Sequence, residues 1–118
     1  MGDAGGVETS GYTGAVRNST GGSITTFSGS LQLVNGQPSG AADWNGVVTL
    51  ALVDAATNTW VASWNLATDA SSGAIHDGSG RKALSATLTQ VQIGLTGSTD
   101  DWSTGVVAVT YQCYETPH

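Results

Sequence analysis

The sequence predicts an all-β fold: a single antiparallel β-sandwich or jelly-roll-like domain with a Gly-rich N-terminal arm. Three observations lead there. Hydrophobic residues make up 39% of the 118 and fall in short, β-branched runs that alternate in polarity. The stretches between runs are rich in Gly, Ser, Thr, Asn and Asp, the residues of turns. No segment keeps a helical period for more than a turn or two. With 17 Gly and only 10% charged residues, composition alone could suit a linker. Runs such as "VVTLALV" and "VVAVTY" argue instead for packed strands. A chain of this length is one domain and can bury roughly two thirds of its unfolded surface.

Residues 1–23 read as the arm, with one short strand around Val7 to Thr13, and residues 24–118 as the sandwich. "ITTFSGSLQLVN" (24–35) reads as a strand with Gly29 as a bulge. "GQPSGAADWNG" is a loop. "VVTLALVD" places Val48, Leu50 and Leu52 on one side, and "TWVASWNLA" returns after "AATN", so residues 47–66 form a hairpin. Residues 67–82 read as a polar loop. In "KALSATLTQVQIGLT" the apolar parity flips between Leu88 and Val91, which implies a break before Val91 and Ile93. After the turn "GSTDDWSTG", a last strand carries Val107, Val109, Tyr111 and Cys113 on one side.

Charge narrows the function. The net charge is −6, and the basic residues are Arg17, Arg81 and Lys82 alone. Nucleic-acid binding rests on Lys and Arg displacing phosphate counterions, so that class is excluded, and an acidic membrane surface is a poor partner for the same reason. No apolar stretch reaches the ~18 residues that would span a bilayer, so no membrane insertion is expected. The single Cys113 permits no internal disulfide. The start lacks a basic segment and apolar run, so no secretion signal is expected and assembly in a reducing cytoplasm fits.

No catalytic constellation stands out. His76 and His118 are the only candidate imidazole bases, and no G-x-S-x-G elbow accompanies them. His76 sits in "SGAIHDGSGRK", a loop composition, and reads as a solvated loop histidine. Asp100 and Asp101 are explained by their turn and lack a calcium-loop pattern. "DGSGRK" has the wrong spacing for a phosphate loop. No cofactor and no metal are expected.

The four tryptophans are the richest feature. Trp60 and Trp64 lie four apart on a strand, so both indoles leave one face. That face is either core or contact surface, since Trp serves both. Trp44 and Trp102 lie in loop-like stretches.

"GDAGGVETSGYTG" (2–14), "VVTLALVDAATNTWVAS" (47–63), "GSGRKALSATLTQVQI" (78–93) and "STDDWSTGVVAVTY" (98–111) occur in this order. Together they resemble the C-terminal β-rich domain of bacteriophage and prophage tail-fibre-type proteins, over about half the chain. The resemblance implies that Trp60, at the family's usual Trp, and Trp102, at its Phe, are structural. Trp64 falls where that family has a small residue, which nominates it as a partner contact. Trp44, flanked by Asp43 and Asn45, lies where nothing resembles the family, so variable loops on a rigid scaffold would place a specificity surface there. The expected core comprises Trp60, Trp102, Leu50, Leu52, Val91, Ile93, Val107, Val109 and Tyr111. In that family more fibre sequence, including a strand, precedes the G-G-x-E-T segment. The sandwich is therefore expected to lack an edge strand that a neighbouring chain supplies.

Two functions follow as expectations. The first is a non-enzymatic virion module, tail-associated, binding a host-surface saccharide or protein as part of a symmetric oligomer. Trimers are the common fibre state the resemblance implies. The second is a capsid decoration protein bound to the capsid lattice. In either case the expected partners are other virion proteins and further copies of the chain, with the virion as its location. A free carbohydrate-binding lectin is a third class, disfavoured by the absence of a secretion signal.

Overall fold

Alternation in the sequence becomes strands, though not always where the apolar runs lie. A computed structural model of the chain describes residues 1–20, 22–35, 44–68, 74–93 and 107–111. Its strands are β1 (Gly2–Asp3), β2 (Gly6–Val7), β3 (Thr13–Asn18), β4 (Ile24–Phe27), β5 (Trp44–Asp54), β6 (Thr59–Thr68) and β7 (Ile75–Ala83). β1 and β2 pair with each other, and the other five form one antiparallel sheet in the order β4-β3-β7-β6-β5. No helix occurs among the described residues. The fold is all-β and antiparallel, and compatible with a sandwich.

The β5–β6 hairpin forms where the sequence places it. Its turn is local chemistry: the Ala56 N–H donates to Asp54 Oδ1 at 2.9 Å, and Asn58 takes the left-handed conformation at φ 51°. A register shift between Leu52 and Asp54 feeds the strand into that turn.

The register sorts the sheet into two faces. On the inner face, successive rows across the strands read Asn18–His76–Leu66–Gly46, then Thr25–Val16–Gly78–Trp64–Val48, then Phe27–Gly14–Gly80–Ala62–Leu50. Two contiguous apolar groups lie there. Val16, Ala62 and Trp64 are buried together, and Met1, Tyr12 and Leu84 form the other, with Leu50 and Phe27 packing on both. The chain leaves the sheet after Phe27, and Leu31 and Leu33 pack back against these groups. The outer face is mostly polar and includes the Arg17–Asp77 cross-strand pair at 3.1 Å.

Several expectations are corrected. Residues 67–82, read as a polar loop, contain most of β7, the central strand. "IHDGSGRKA" hides because its inward positions include Gly78 and Gly80, where an apolar signal would normally stand. Neighbours fill that space. A Cβ on Gly78 would lie 2.7 Å from Trp64 Cζ2, and one on Gly80 would lie 2.8 Å from both Phe27 Cζ and Leu31 Cδ2. A glycine inside a strand marks such close approach. Within residues 1–23, read as an arm with one short strand around Val7 to Thr13, residues 13–18 form β3, between β4 and β7. The strand read over 24–35 ends at Phe27. Residues 84–93 carry strand alternation but only one bridge, Gly2 to Gln90.

The expected core is corrected accordingly. Trp60 and Leu50 are half-buried and pack on the Met1–Tyr12–Leu84 group. Leu52, Val91, Ile93, Val107, Val109 and Tyr111 are exposed. Leu52 sits on the edge strand beyond the covered part of the inner face; Val91 and Ile93 follow the lone Gly2–Gln90 bridge, and 107–111 has no strand partner among the described residues. Asp43, Asp100, Asp101, Trp102, Cys113 and His118 lie outside the described residues.

Candidate functional site

Trp64, nominated as the partner contact, is instead core. Its accessibility is 4%. The indole spreads over Gly78 and meets the Phe27 ring at 5.9 Å between centroids, tilted by 39°. The small residue is on the neighbouring strand rather than at position 64, and it supplies the room the indole fills. Trp44 and Asn45 open β5, where Trp44 is half-buried and Asn45 exposed. Trp44 packs edge-on against the imidazole of His76, with centroids 5.1 Å apart.

His76, read as a solvated loop residue, is 1% exposed. Strand parity points it inward, beside Leu66 and Asn18. Its Nδ1 accepts the Asn35 N–H at 3.0 Å, so the imidazole is neutral and carries its proton on Nε2. Burial lowers its pKa below the ordinary histidine value, against a smaller opposing pull from Asp77. Among the described residues, Nε2 and the Trp64 Nε1 have no hydrogen-bond partner. Asn35 secures this corner: its carbonyl accepts from Asn18 Nδ2 at 2.9 Å, its Oδ1 from Thr25 Oγ1 at 2.9 Å, and its amide donates to Ser23 O at 3.1 Å.

A second polar group joins the N-terminal hairpin to the end of β7. Lys82 points inward and is buried, a position a lysine holds only when paired. Its Nζ lies 2.9 Å from Glu8 Oε1 and 5.6 Å from the centroid of the Tyr12 ring. Glu8 Oε2 accepts the Ser85 N–H at 2.9 Å, and the Ser85 hydroxyl donates to Asp3. The Tyr12 hydroxyl lies 3.0 Å from the Met1 carbonyl and 2.9 Å from that of Glu8. The Ser85 hydrogen bond, with help from the Gly5 N–H, holds Asp3 below the ordinary carboxylate range. The Ser85 N–H and then Lys82 do the same for Glu8. Burial raises Tyr12. Lys82 is matched by Glu8 and Asp3 is held by hydrogen bonds, and this cluster acts as a clasp: Gly2 and Asp3 also take up Gln90 through Gly2 N to Gln90 O at 2.9 Å and Gln90 Nε2 to Asp3 O at 2.8 Å.

The third feature is the edge of the sheet. β5 is the longest strand, with eleven residues, and pairs only with β6 among the described residues. Val47 and Val53 are exposed on its outer face, Val48 and Leu52 on its inner face. Residues 44–53 contain no charged residue and no proline. Long, flat, apolar edges are what free monomers avoid, because unpaired N–H and C=O groups recruit other strands. The described stretch 107–111 is also apolar and bare, with Val109 77% and Tyr111 87% exposed.

Among the described residues no three His, Cys, Asp or Glu side chains converge as a metal cluster would. The Ser85 hydroxyl faces carboxylates, and His76 is committed to Asn35. A shallow groove of about 390 Å³ beside Arg17, Ile24, Asp77 and Ser79 brings in no further titratable partner. Sequence reasoning missed His76, the Lys82–Glu8–Ser85 clasp and the edge character of β5. The signal for the first two lay in the alternation His76, Gly78, Gly80, Lys82, which is strand-like in period but not in hydrophobicity.

Comparison with protein-family models, with curated proteins and with solved structures found no match.

Proposed function

We propose that this chain is a non-enzymatic structural module of a bacteriophage particle, tail-associated and working as a symmetric oligomer. Its partners are other copies of itself, neighbouring virion proteins and a host-surface saccharide or protein. One observation carries the assembly part: the uncharged, exposed β5 edge, in a chain whose net charge of −6 would otherwise keep copies apart. The phage assignment rests on the sequence resemblance alone. Trp44 and Asn45, at the start of that edge, are the described residues available for host contact. Weak sites repeated by symmetry would gain avidity.

A second reading is favoured by the burial of Trp64. With that indole inside, the described surface offers fewer aromatic rings for a sugar, and a capsid decoration protein needs none. Gold-labelled antibody against the chain, imaged on particles of its source, separates the two. Label at the tail supports the first reading. Label spread over the head makes the chain a decoration protein, and unlabelled particles defeat both.

A further inference from the structure

We propose that the β5 edge is the docking site for the segment Val107–Tyr111 of a second copy of this chain, which joins the sheet as a sixth strand. This rests on the reading of the chain as an oligomeric module and names the contact that builds the oligomer.

Four observations converge. First, the hydrogen-bonding edge of β5 away from β6 is unpaired among the described residues, and its ten residues 44–53 carry none of the lysines or prolines that guard natural edges. The other outer strand, β4, is only four residues long, and its Thr25 is engaged with Asn35. Second, Val107–Tyr111 has strand chemistry but no strand pairing among the described residues. Val107, Val109 and Tyr111 are 67%, 77% and 87% exposed, recur every second residue and so share one face of an extended chain. Third, the spacing matches. Val48, Leu50 and Leu52 line the inner face of β5 with the same period of two, and the first and last of them are exposed. A strand laid alongside covers that row whichever way it runs. Fourth, charge permits it. Neither 44–53 nor 107–111 bears a charged side chain, so two acidic molecules meet where neither is acidic.

The second copy, rather than the same chain, is the occupant because within the chain described 107–111 makes no strand pairing with β5. Each is exposed, and 107–111 has no strand partner among the described residues. Backbone pairing of this kind supplies affinity, and the alternating side chains supply register.

The test replaces Tyr111 with the photo-crosslinker p-benzoylphenylalanine in full-length chain, prepared in ¹⁴N and ¹⁵N forms and mixed through a denature–refold cycle. The expected result is an oligomer by light scattering, with mixed-isotope crosslinks from position 111 to the peptide spanning 44–54. Val109→Pro, which removes a strand donor from a segment outside the monomer's sheet, should keep the circular dichroism of the parent and self-associate about tenfold or more weakly. Crosslinks of a single isotope would place the strand on its own chain and overturn the proposal. So would crosslinks elsewhere, or a Val109→Pro variant that assembles like the parent. An oligomer without the 111-to-β5 crosslink sinks this contact and spares the oligomeric module. A chain monomeric at every concentration sinks both.

Discussion

Trp64 shows how a residue's role is set by what faces it. The indole and Gly78 are neighbours on adjacent strands, and the space of one is the absence of the other. Trp64→Ala should therefore cost on the order of 3–5 kcal/mol of unfolding free energy, measurable by urea denaturation. A variant as stable as the parent would return Trp64 to the surface. The reciprocal substitution should be just as telling. In Gly78→Val the new Cβ would meet Trp64 Cζ2 at 2.7 Å and the Ala15 carbonyl at 2.5 Å, a crowding worth at least about 1–3 kcal/mol. His76 adds a pH dependence. Its folded pKa lies below the ordinary value of 6.5, so the unfolded chain binds the proton more readily. This contribution to stability is full above about pH 6.5 and is lost as pH falls below it. Melting temperatures taken from about pH 7.5 to 5.5 should decline, and His76→Asn, whose side-chain oxygen can accept the Asn35 N–H, should flatten the decline.

At the scale of elements, legibility tracked where the hydrophobic signal resides. The β5–β6 hairpin was readable because both strands carry their own apolar alternation and an Asp-initiated turn joins them. β7 was not, because its inward positions carry glycines and polar groups. His76 is held by Asn35, Lys82 by Glu8, and the glycines by rings from other strands. The segments 84–93 and 107–111 erred the other way: their alternation is genuine, but alternation states that a face wants covering and not what covers it. The clasp between the N-terminal hairpin and the end of β7 invites a directional comparison. Glu8→Ala strands a buried ammonium, whereas Lys82→Met with Glu8→Gln removes both charges. The single variant should melt at a lower temperature than the double one. Asp3 and Glu8, held below their ordinary pKa values, contribute stability that is present above those values and lost only as pH falls through the acid range, well under the histidine window.

At the scale of the whole molecule, the main open feature among the described residues is the outer edge of β5. Among the described residues the sheet ends in eleven residues of strand paired on one side only, the edge that the proposed contact between copies would cover. Val47→Lys together with Val53→Lys should shift the chain toward monomer in analytical ultracentrifugation without changing its melting midpoint by more than a few degrees. Both side chains already meet water and leave the inner face untouched.

The central position of β7 also sets a timetable. β3 and β4 can close on each other early, as can β5 and β6, because each pair is joined locally. Yet β3 meets its other neighbour only in β7, across pairings such as Asn18 with His76 and Thr13 with Arg81. During synthesis the first hairpin must therefore wait, one flank bare, until most of the chain has left the ribosome. Long-range closure of this kind is slow. The chain is thus open to wrong partners while it is still being made, and most so where many copies are translated close together.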